Sequence, residues 1–215
     1  MPMQTRNARL GFILLACVFL NACSTRIELP ERSALGGPVP DDWSQREAAL
    51  LALDQWHLVG KIAVRQDGQS ESAVINHWNQ DDSAYQLQLS SAFMGLGTVR
   101  LEGDTDYLMI QTSNGDRYVS DDPETLVLNV TGWQLPLEVL PYWVRGVPAP
   151  TAEAELGFAP EGELKMLVQS GWEVHFQRYS LPVDGDIALP TLITASNGDA
   201  RVRLAINNWQ LGPQD

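Results

Sequence analysis

Residues 58–90 read LVGKIAVRQDGQSESAVINHWNQDDSAYQLQLS, and they hold three strand-like segments separated by two polar turns. Between residues 85 and 90, apolar side chains alternate strictly with polar ones, which places one face of the strand in a core. The turns at 66–69 and 79–82 are built from Asp, Asn, Gln and Gly, residues that favour chain reversal. This pattern predicts consecutive antiparallel strands that are each buried on one face.

Similar segments extend on both sides of this stretch and give about ten strands in all. They are predicted at 58–65, 71–79, 85–90, 99–102, 107–111, 116–119, 163–169, 172–179, 189–195 and 201–211. Helices are predicted at 42–55, 122–132 and 136–143. In the last strand, Val202 and Ile206 share one phase whereas Trp209 has the other, which predicts either a bulge or a strand that crosses between two surroundings. Regularly spaced strands favour an antiparallel barrel or sandwich, and the helices fit one mouth of a curled sheet.

The charge balance excludes some classes of partner. The chain carries 14 Lys and Arg against 27 Asp and Glu, a formal charge of −13. A nucleic-acid binder needs a basic footprint, so no nucleic-acid partner is expected. Docking on anionic lipid through a basic patch is disfavoured for the same reason.

The N-terminus has the pattern of a secretory signal. Arg6 and Arg9 precede an apolar run over 10–20, which is shorter than the about 20 residues that span a bilayer. Residues 1–22 are therefore expected to be a cleaved signal peptide, with an uncleaved anchor helix as the alternative. The run ends Leu-Asn-Ala-Cys at 20–23, which resembles a bacterial lipobox.

The lipobox resemblance implies a lipid anchor on Cys23, with diacylglycerol on its sulfur and a palmitoyl group on its new amine. Ser24 in the following position then implies sorting to the outer membrane. Residues 23–41 are rich in Pro and Gly and are expected to be a lipidated tether, followed by one domain over 42–215. Only Cys17 and Cys23 are present, so the domain holds no disulfide and no cysteine-based metal site. Loss of the two signal arginines changes the charge to −15.

No group of residues predicts catalysis. The three histidines, His57, His77 and His175, lack the spacing of a zinc hydrolase and are expected to be edge or surface imidazoles. No serine lies in a Gly-x-Ser-x-Gly context. We therefore expect no catalytic residue, no metal site and no cofactor.

Aromatic and apolar residues are the unusual feature of the chain. Seven tryptophans all follow residue 42, and they either fill a core or line an apolar cavity. The segment between the strands at 85–90 and 99–102 contains Phe93, Met94 and Leu96 among glycines. Either this loop folds back on the core, or it protrudes and contacts lipid.

Several segments, taken in order, carry a resemblance to a known family. They are LNAC at 20–23, AFMGLGTVRLEG at 92–103, YVSDD at 118–122, TGWQLP at 131–136, LPYWVRGVP at 140–148, WEV at 172–174, RVRL at 201–204, and Trp209. The ordered set resembles the LolB family, the outer-membrane lipoprotein receptors of Gram-negative bacteria.

The resemblance implies a mainly β fold, an unclosed antiparallel barrel of ten or eleven strands with two or three helices as a lid over an apolar cavity. It implies a monomeric, lipid-anchored protein on the periplasmic face of the outer membrane. Such a protein accepts triacylated lipoproteins from a soluble LolA-like carrier and inserts them into the inner leaflet of the outer membrane.

The resemblance also assigns roles to residues. The family's membrane-insertion loop carries a Leu, usually in Pro-Leu-Gly, and Met94 occupies that place here, with Phe93 in the Pro position. Phe93 and Leu96 are expected to share the role. The acyl-chain cavity maps onto five tryptophans: Trp43, Trp78, Trp143, Trp172 and Trp209.

Two other functions stay open at this stage. One is a structural outer-membrane lipoprotein, or a small-lipid-binding protein, without transfer activity. The other is a periplasmic hydrolase on a barrel scaffold, for which the sequence offers no catalytic residues.

Overall fold

Eleven antiparallel strands form one sheet in the computed structural model, which describes residues 37–91 and 97–213. The strands are β1 (Gln55–Gln66), β2 (Gln69–Asp81), β3 (Ala84–Ser91), β4 (Gly97–Gly103), β5 (Leu108–Thr112), β6 (Arg117–Ser120), β7 (Ala154–Phe158), β8 (Leu164–Gln169), β9 (Trp172–Ser180), β10 (Leu189–Asn197) and β11 (Ala200–Leu211). The helices are α1 (Trp43–Leu51), α2 (Pro123–Thr131) and α3 (Leu140–Val144). The prediction of a mainly β, unclosed antiparallel fold of ten or eleven strands with two or three helices is confirmed.

The strand order explains why the sheet is open. It runs β6-β5-β4-β3-β2-β1-β11-β10-β9-β8-β7, so the row ends at β6 on one side and at β7 on the other. Pairing of β1 with β11 joins the first part of the domain to the last. A twisted sheet of this many strands curls, and its concave face then needs a cover.

The bulge predicted in the last strand lies where β11 pairs with β1. Val59 is opposite Asn208 whereas Gly60 is opposite Ile206, so β11 gains one residue at this step. A Cβ atom at Gly60 would lie 2.3 Å from the carbonyl oxygen of Ala205. Glycine is therefore required here because the two backbones approach too closely for any side chain.

Helices α2 and α3 lie in the connection that joins the two edges of the sheet. Residues 121–153, which we call the lid, follow edge strand β6 and lead to edge strand β7. The chain must therefore pass from one end of the eleven-strand row to the other. Apolar side chains along the lid are buried against the sheet, namely Val127, Trp133, Leu135, Val139, Leu140, Trp143, Val144 and Val147.

Helix α2 follows its sequence signals closely. The Asp122 carboxylate accepts a hydrogen bond from the Thr125 amide at 3.1 Å, and Pro123 occupies the first turn. Gly132 ends the helix in the left-handed conformation, with φ at 75°. Local capping chemistry therefore fixes both ends, as predicted.

Other boundaries differ from the sequence expectation. Helix α1 ends at Leu51 rather than near 55, because β1 already begins at Gln55 and pairs with Asp81. Helix α3 starts at Leu140, and turns occupy the preceding residues from 136 onward. Strand β7 was not predicted, since Gly157 and a register shift at Phe158 weaken its alternating pattern.

Candidate functional site

The concave face of the sheet and the lid enclose a small apolar cavity. The sheet contributes Ile62, Ile75, Trp78, Tyr85, Leu87, Leu89 and Leu204, and the lid contributes Leu135, Leu137, Leu140 and Pro141. The cavity measures about 20 Å³, which is close to the smallest space that holds one water molecule. Its lining is almost wholly hydrocarbon. In this conformation the lid is closed on the sheet.

Six of the seven tryptophans form three buried clusters around the interior. Trp56 packs edge-to-face against Trp78 and Trp209, with ring centroids 5.2 and 5.4 Å apart. Trp143 of the lid packs on Trp172 of β9 at 6.3 Å. Trp43 packs edge-to-face on Phe158 at 5.0 Å and so joins α1 to edge strand β7. Of the five predicted cavity tryptophans, Trp78 lines the small cavity, and the other four are buried in these contacts.

Five of the seven indoles divide into two groups by whether the Nε1 atom has a hydrogen-bond acceptor. The Nε1 atoms of Trp133, Trp143 and Trp209 donate to the Glu71 carboxylate, the Gln169 side chain and the Pro190 carbonyl, each at 2.9 Å. Trp56 and Trp78 have buried Nε1 atoms with no acceptor among the described residues. Most buried polar atoms are paired, so two unpaired donors in one cluster are unusual.

Gln169, itself 2% exposed, connects the lid to the sheet through four hydrogen bonds. Its Oε1 accepts from Trp143 Nε1 and from the Ala149 amide, both at 2.9 Å. Its Nε2 donates to the carbonyls of Ala149 and Ala152 at 2.7 and 2.8 Å. All four hydrogen-bonding positions of one amide therefore hold the end of the lid in place.

Arg145 makes the corresponding contact at the other side of the lid. Its side chain is 6% exposed, and Nη1 donates to the carbonyls of Leu50 and Leu53 at 3.1 and 2.6 Å. Nε donates to the Pro141 carbonyl at 3.0 Å, and the guanidinium lies 5.1 Å from the Tyr142 ring centroid. Burial lowers the pKa of the Arg145 guanidinium, which stays charged at neutral pH. A positive charge at the carboxyl end of α1 also complements the helix dipole.

An acidic cleft opens beside the apolar cavity. It measures about 580 Å³ and shares Tyr85, Leu137 and Pro141 with the cavity lining. Its walls carry seven carboxylates, those of Asp54, Asp82, Asp104, Asp121, Asp122, Glu124 and Glu138. Burial, and then repulsion from Glu138 and Asp122, raises the pKa of Glu124. We call this feature the acidic cleft.

A family model described as outer membrane lipoprotein LolB matches residues 54–209. The chain belongs to the LolB family. It is 44% identical over 202 residues to the outer-membrane lipoprotein LolB of Marinobacter nauticus, covering 94% of this chain and 96% of that relative. The LolB of Alkalilimnicola ehrlichii is 37% identical over 212 residues, covering 97% and 100%.

A solved structure shares the fold without close sequence similarity. It is a DUF1329 family protein from Desulfovibrio piger, with a TM-score of 0.50 and 8% identity, covering 81% of this chain and 93% of that chain. Membership of the LolB family makes this chain an outer-membrane lipoprotein receptor rather than an enzyme.

Several predicted LolB residues lie outside the described part of the chain. They are Cys23, Ser24, Phe93, Met94 and Leu96. The described residues on either side of 92–96 are paired, because Ser91 of β3 is opposite Gly97 of β4. The roles of all five residues stay predictions.

One histidine expectation is wrong. His175 is 2% exposed rather than superficial, and its Nε2 lies 2.7 Å from the Glu173 carboxylate. It lies between Val174 and Phe176 in a strand that is buried on both faces. In the described ranges, no cluster of His, Cys, Asp and Glu has the makings of a metal site. No helix of those ranges is long and apolar enough to cross a membrane.

Sequence reasoning missed Gln169, Arg145 and the acidic cleft. Arg145 offered a signal, since it lies alone in the apolar run LPYWVRGVP. The acidic cleft offered none, because its carboxylates come from four hairpin and lid segments that are distant in sequence.

Proposed function

We propose that this LolB-family protein accepts triacylated lipoproteins from a soluble LolA-like carrier and holds their acyl chains between the sheet and the lid. It then inserts the chains into the inner leaflet of the outer membrane. The observation that supports this most directly is the hydrocarbon-lined cavity, which has the lid as one wall and the sheet as the other.

The cavity admits an acyl chain only when the lid moves away from the sheet. A palmitoyl chain has about 14 CH₂ groups and gains about 11 kcal/mol on leaving water, at about 0.8 kcal/mol each. Exposing the three lid leucines of the cavity, Leu135, Leu137 and Leu140, costs at most about 9 kcal/mol. One acyl chain therefore offsets the exposure of these three leucines, and the proposal includes no energy source for loading.

The chain is anchored, in this proposal, by lipid on Cys23 after removal of the 1–22 signal peptide. Residues 23–41 form the tether, and 42–215 form a monomeric receptor domain on the periplasmic face. The end of the tether is close to edge strand β7, since Gly37 forms a bridge with Phe158. The membrane anchor therefore joins the domain on the side of β7 and α1.

A probe-displacement experiment tests acyl-chain binding. An environment-sensitive fatty-acid probe should bind saturably, and a triacylated lipopeptide should displace it. A matched peptide without acyl chains serves as the control. Absence of saturable binding, or displacement by both peptides alike, would contradict the cavity and favour a structural lipoprotein without transfer activity.

Delivery to membranes is assigned to the loop with Phe93, Met94 and Leu96. Met94→Glu should leave folding and uptake from the carrier intact but block transfer of lipoproteins to liposomes. Val183→Glu is a matched control, because Val183 is 92% exposed in the β9–β10 loop. Normal delivery by a Phe93→Glu, Met94→Glu double variant would refute the assignment.

The acidic cleft is the proposed docking surface for the carrier. Seven carboxylates with one paired guanidinium favour a basic partner surface, and salt should weaken such steering. Asp121→Lys with Glu138→Lys should slow transfer from the carrier at low salt. Asp199→Lys is the control variant, because Asp199 is exposed on the β10–β11 turn. This docking surface would be contradicted if the control variant slowed transfer as much as the double variant, or if the transfer rate did not depend on ionic strength.

A further inference from the structure

We propose that the indole N–H of Trp78 is a hydrogen-bond donor for the ester carbonyl oxygen at the head of a bound acyl chain. This inference rests on the proposed function and assigns one polar contact within it. It identifies a residue that selects how the chain is linked, in addition to the apolar lining that selects the chain itself.

Trp78 lines the cavity and carries a buried donor without an acceptor. Its side chain is 4% exposed and lines the apolar cavity, and its Nε1 has no acceptor among the described residues. An unmade buried hydrogen bond is costly, whereas three other indoles of this domain have found acceptors at 2.9 Å. The edge-to-face packing on Trp56 offers only an aromatic face, which is a weaker acceptor than a carbonyl oxygen.

The position of Trp78 fits the polar head of an acyl chain. Along β2 the next inward residue after Trp78 is Gln80, which pairs with Tyr85 across the ladder and lines the acidic cleft. Tyr85 borders both the cleft and the apolar cavity. Trp78 is therefore one inward-facing position along β2 from Gln80, where the apolar cavity meets the polar cleft.

An amphiphilic ligand has one orientation across this boundary. Its acyl tail belongs in the apolar cavity, and its peptide belongs in the cleft, so the linkage between them lies near Trp78. Gln80 adds to the polar side, since its buried Oε1 lacks a donor among the described residues and its side chain is 8% exposed. The polar atoms thus change from acceptors in the cleft to a donor on the neighbouring inward residue of β2.

The chemistry of the two groups matches. An ester oxygen only accepts hydrogen bonds, and an indole N–H only donates. A cavity lined by hydrocarbon alone would leave the ester unpaired and would disfavour its burial. An ether linkage has no carbonyl oxygen, so the difference between ester and ether lipids isolates this contact.

Binding of three lipopeptides to the full-length protein in detergent tests the inference. The probes are a cysteinyl peptide with two palmitoyl ester chains, its dialkyl ether analogue, and an N-palmitoyl peptide that carries only an amide. Wild type should bind the diester about three- to tenfold more tightly than the diether, the range of one net hydrogen bond. A different result would overturn the ester contact. If the N-palmitoyl peptide binds more tightly than the diether while the diester does not, the Trp78 donor is assigned to the amide instead.

Variants then locate the donor. Trp78→Phe should reduce the ester-to-ether ratio to about one. Trp56→Phe is the matched control, because it also removes an unpaired N–H but does not line the cavity, and it should keep the ratio. If Trp78→Phe is poorly folded, replacement of Trp78 by 3-benzothienylalanine keeps the two-ring shape and removes only the N–H.

Two failures are distinguishable. If neither diester nor diether binds saturably, the proposed function itself fails. If both bind equally well to wild type, or if the ratio survives without the Trp78 N–H, acyl-chain binding stands and the inference about Trp78 is overturned.

Discussion

Replacement of Arg145 by Met tests whether a buried cation holds the lid against α1. Met keeps an unbranched apolar side chain but removes every hydrogen bond of the guanidinium. The carbonyls of Leu50, Leu53 and Pro141 then lose their donor. Because Arg145 is almost fully buried, water does not replace the guanidinium unless the lid moves.

The magnitude follows from two opposed effects. Hydrogen bonds from a charged donor contribute about 1.5–3 kcal/mol each, and burial of the guanidinium itself is costly. Its lowered pKa reflects that cost. Each carbonyl left without this donor costs about 1–3 kcal/mol, and relief of the guanidinium's burial offsets part of that sum, so the net loss is about 3–5 kcal/mol. In a domain of this size 1 kcal/mol changes Tm by about 2–4 °C, so Tm should fall by about 6–20 °C.

Thermal unfolding followed by circular dichroism measures this fall. Arg203→Met is the matched control, since Arg203 is exposed on β11, and its Tm should change by no more than about 2 °C. Hydrogen exchange adds the location, because amides of α3 should lose protection before those of β1 and β11. A fall in Tm no larger than that of the control, or unchanged exchange in α3, would refute the role of Arg145.

Three further predictions concern stability. Glu124→Gln should raise Tm at pH 7. The pKa of Glu124 is raised on folding, so the wild-type protein loses stability as pH rises from the unfolded-state pKa to the folded-state pKa, and Gln avoids that loss. In melts across pH 4–8 the difference in Tm between variant and wild type should vanish below pH 4.5. Gly60→Val should destabilise by about 1–3 kcal/mol in urea titrations, since its Cβ meets the Ala205 carbonyl, whereas Lys61→Ala should be nearly neutral. Gln169→Leu should cost at least about 3 kcal/mol in the same assay, as three buried groups and the Ala152 carbonyl lose their hydrogen bonds, and a midpoint equal to wild type would contradict this.

Local features of the fold were predictable from sequence because their causes are local. The alternation over 85–90, the cap at Asp122 and the phase change before Trp209 each reflect neighbouring residues. The structure confirms the strand, the helix and the bulge at these places. Even the number of strands was nearly right, with only β7 missing.

The site was less predictable because its residues meet only after folding. Arg145 and Leu53 lie 92 residues apart in the chain, and Trp133 and Glu71 lie 62 apart. The tryptophans were expected either to fill a core or to line a cavity, and in the structure six of the seven pack into three clusters. The residue type predicts that the tryptophans are buried, but only the fold shows that Trp78 is the one that lines the apolar cavity.

The lid is stabilised mainly by its tertiary contacts rather than by its own helices. Helix α3 has five residues and contains Pro141, so it is far below the length at which an isolated helix is stable. Its conformation therefore depends on contacts with the sheet, on Gln169 at one side and on Arg145 at the other. A segment held in this way opens as a unit once those contacts are exchanged for others, and the sheet keeps its own backbone hydrogen bonds meanwhile. Under the proposed function we therefore expect an acyl chain that replaces the leucine contacts to favour the open lid, and its loss to favour closure.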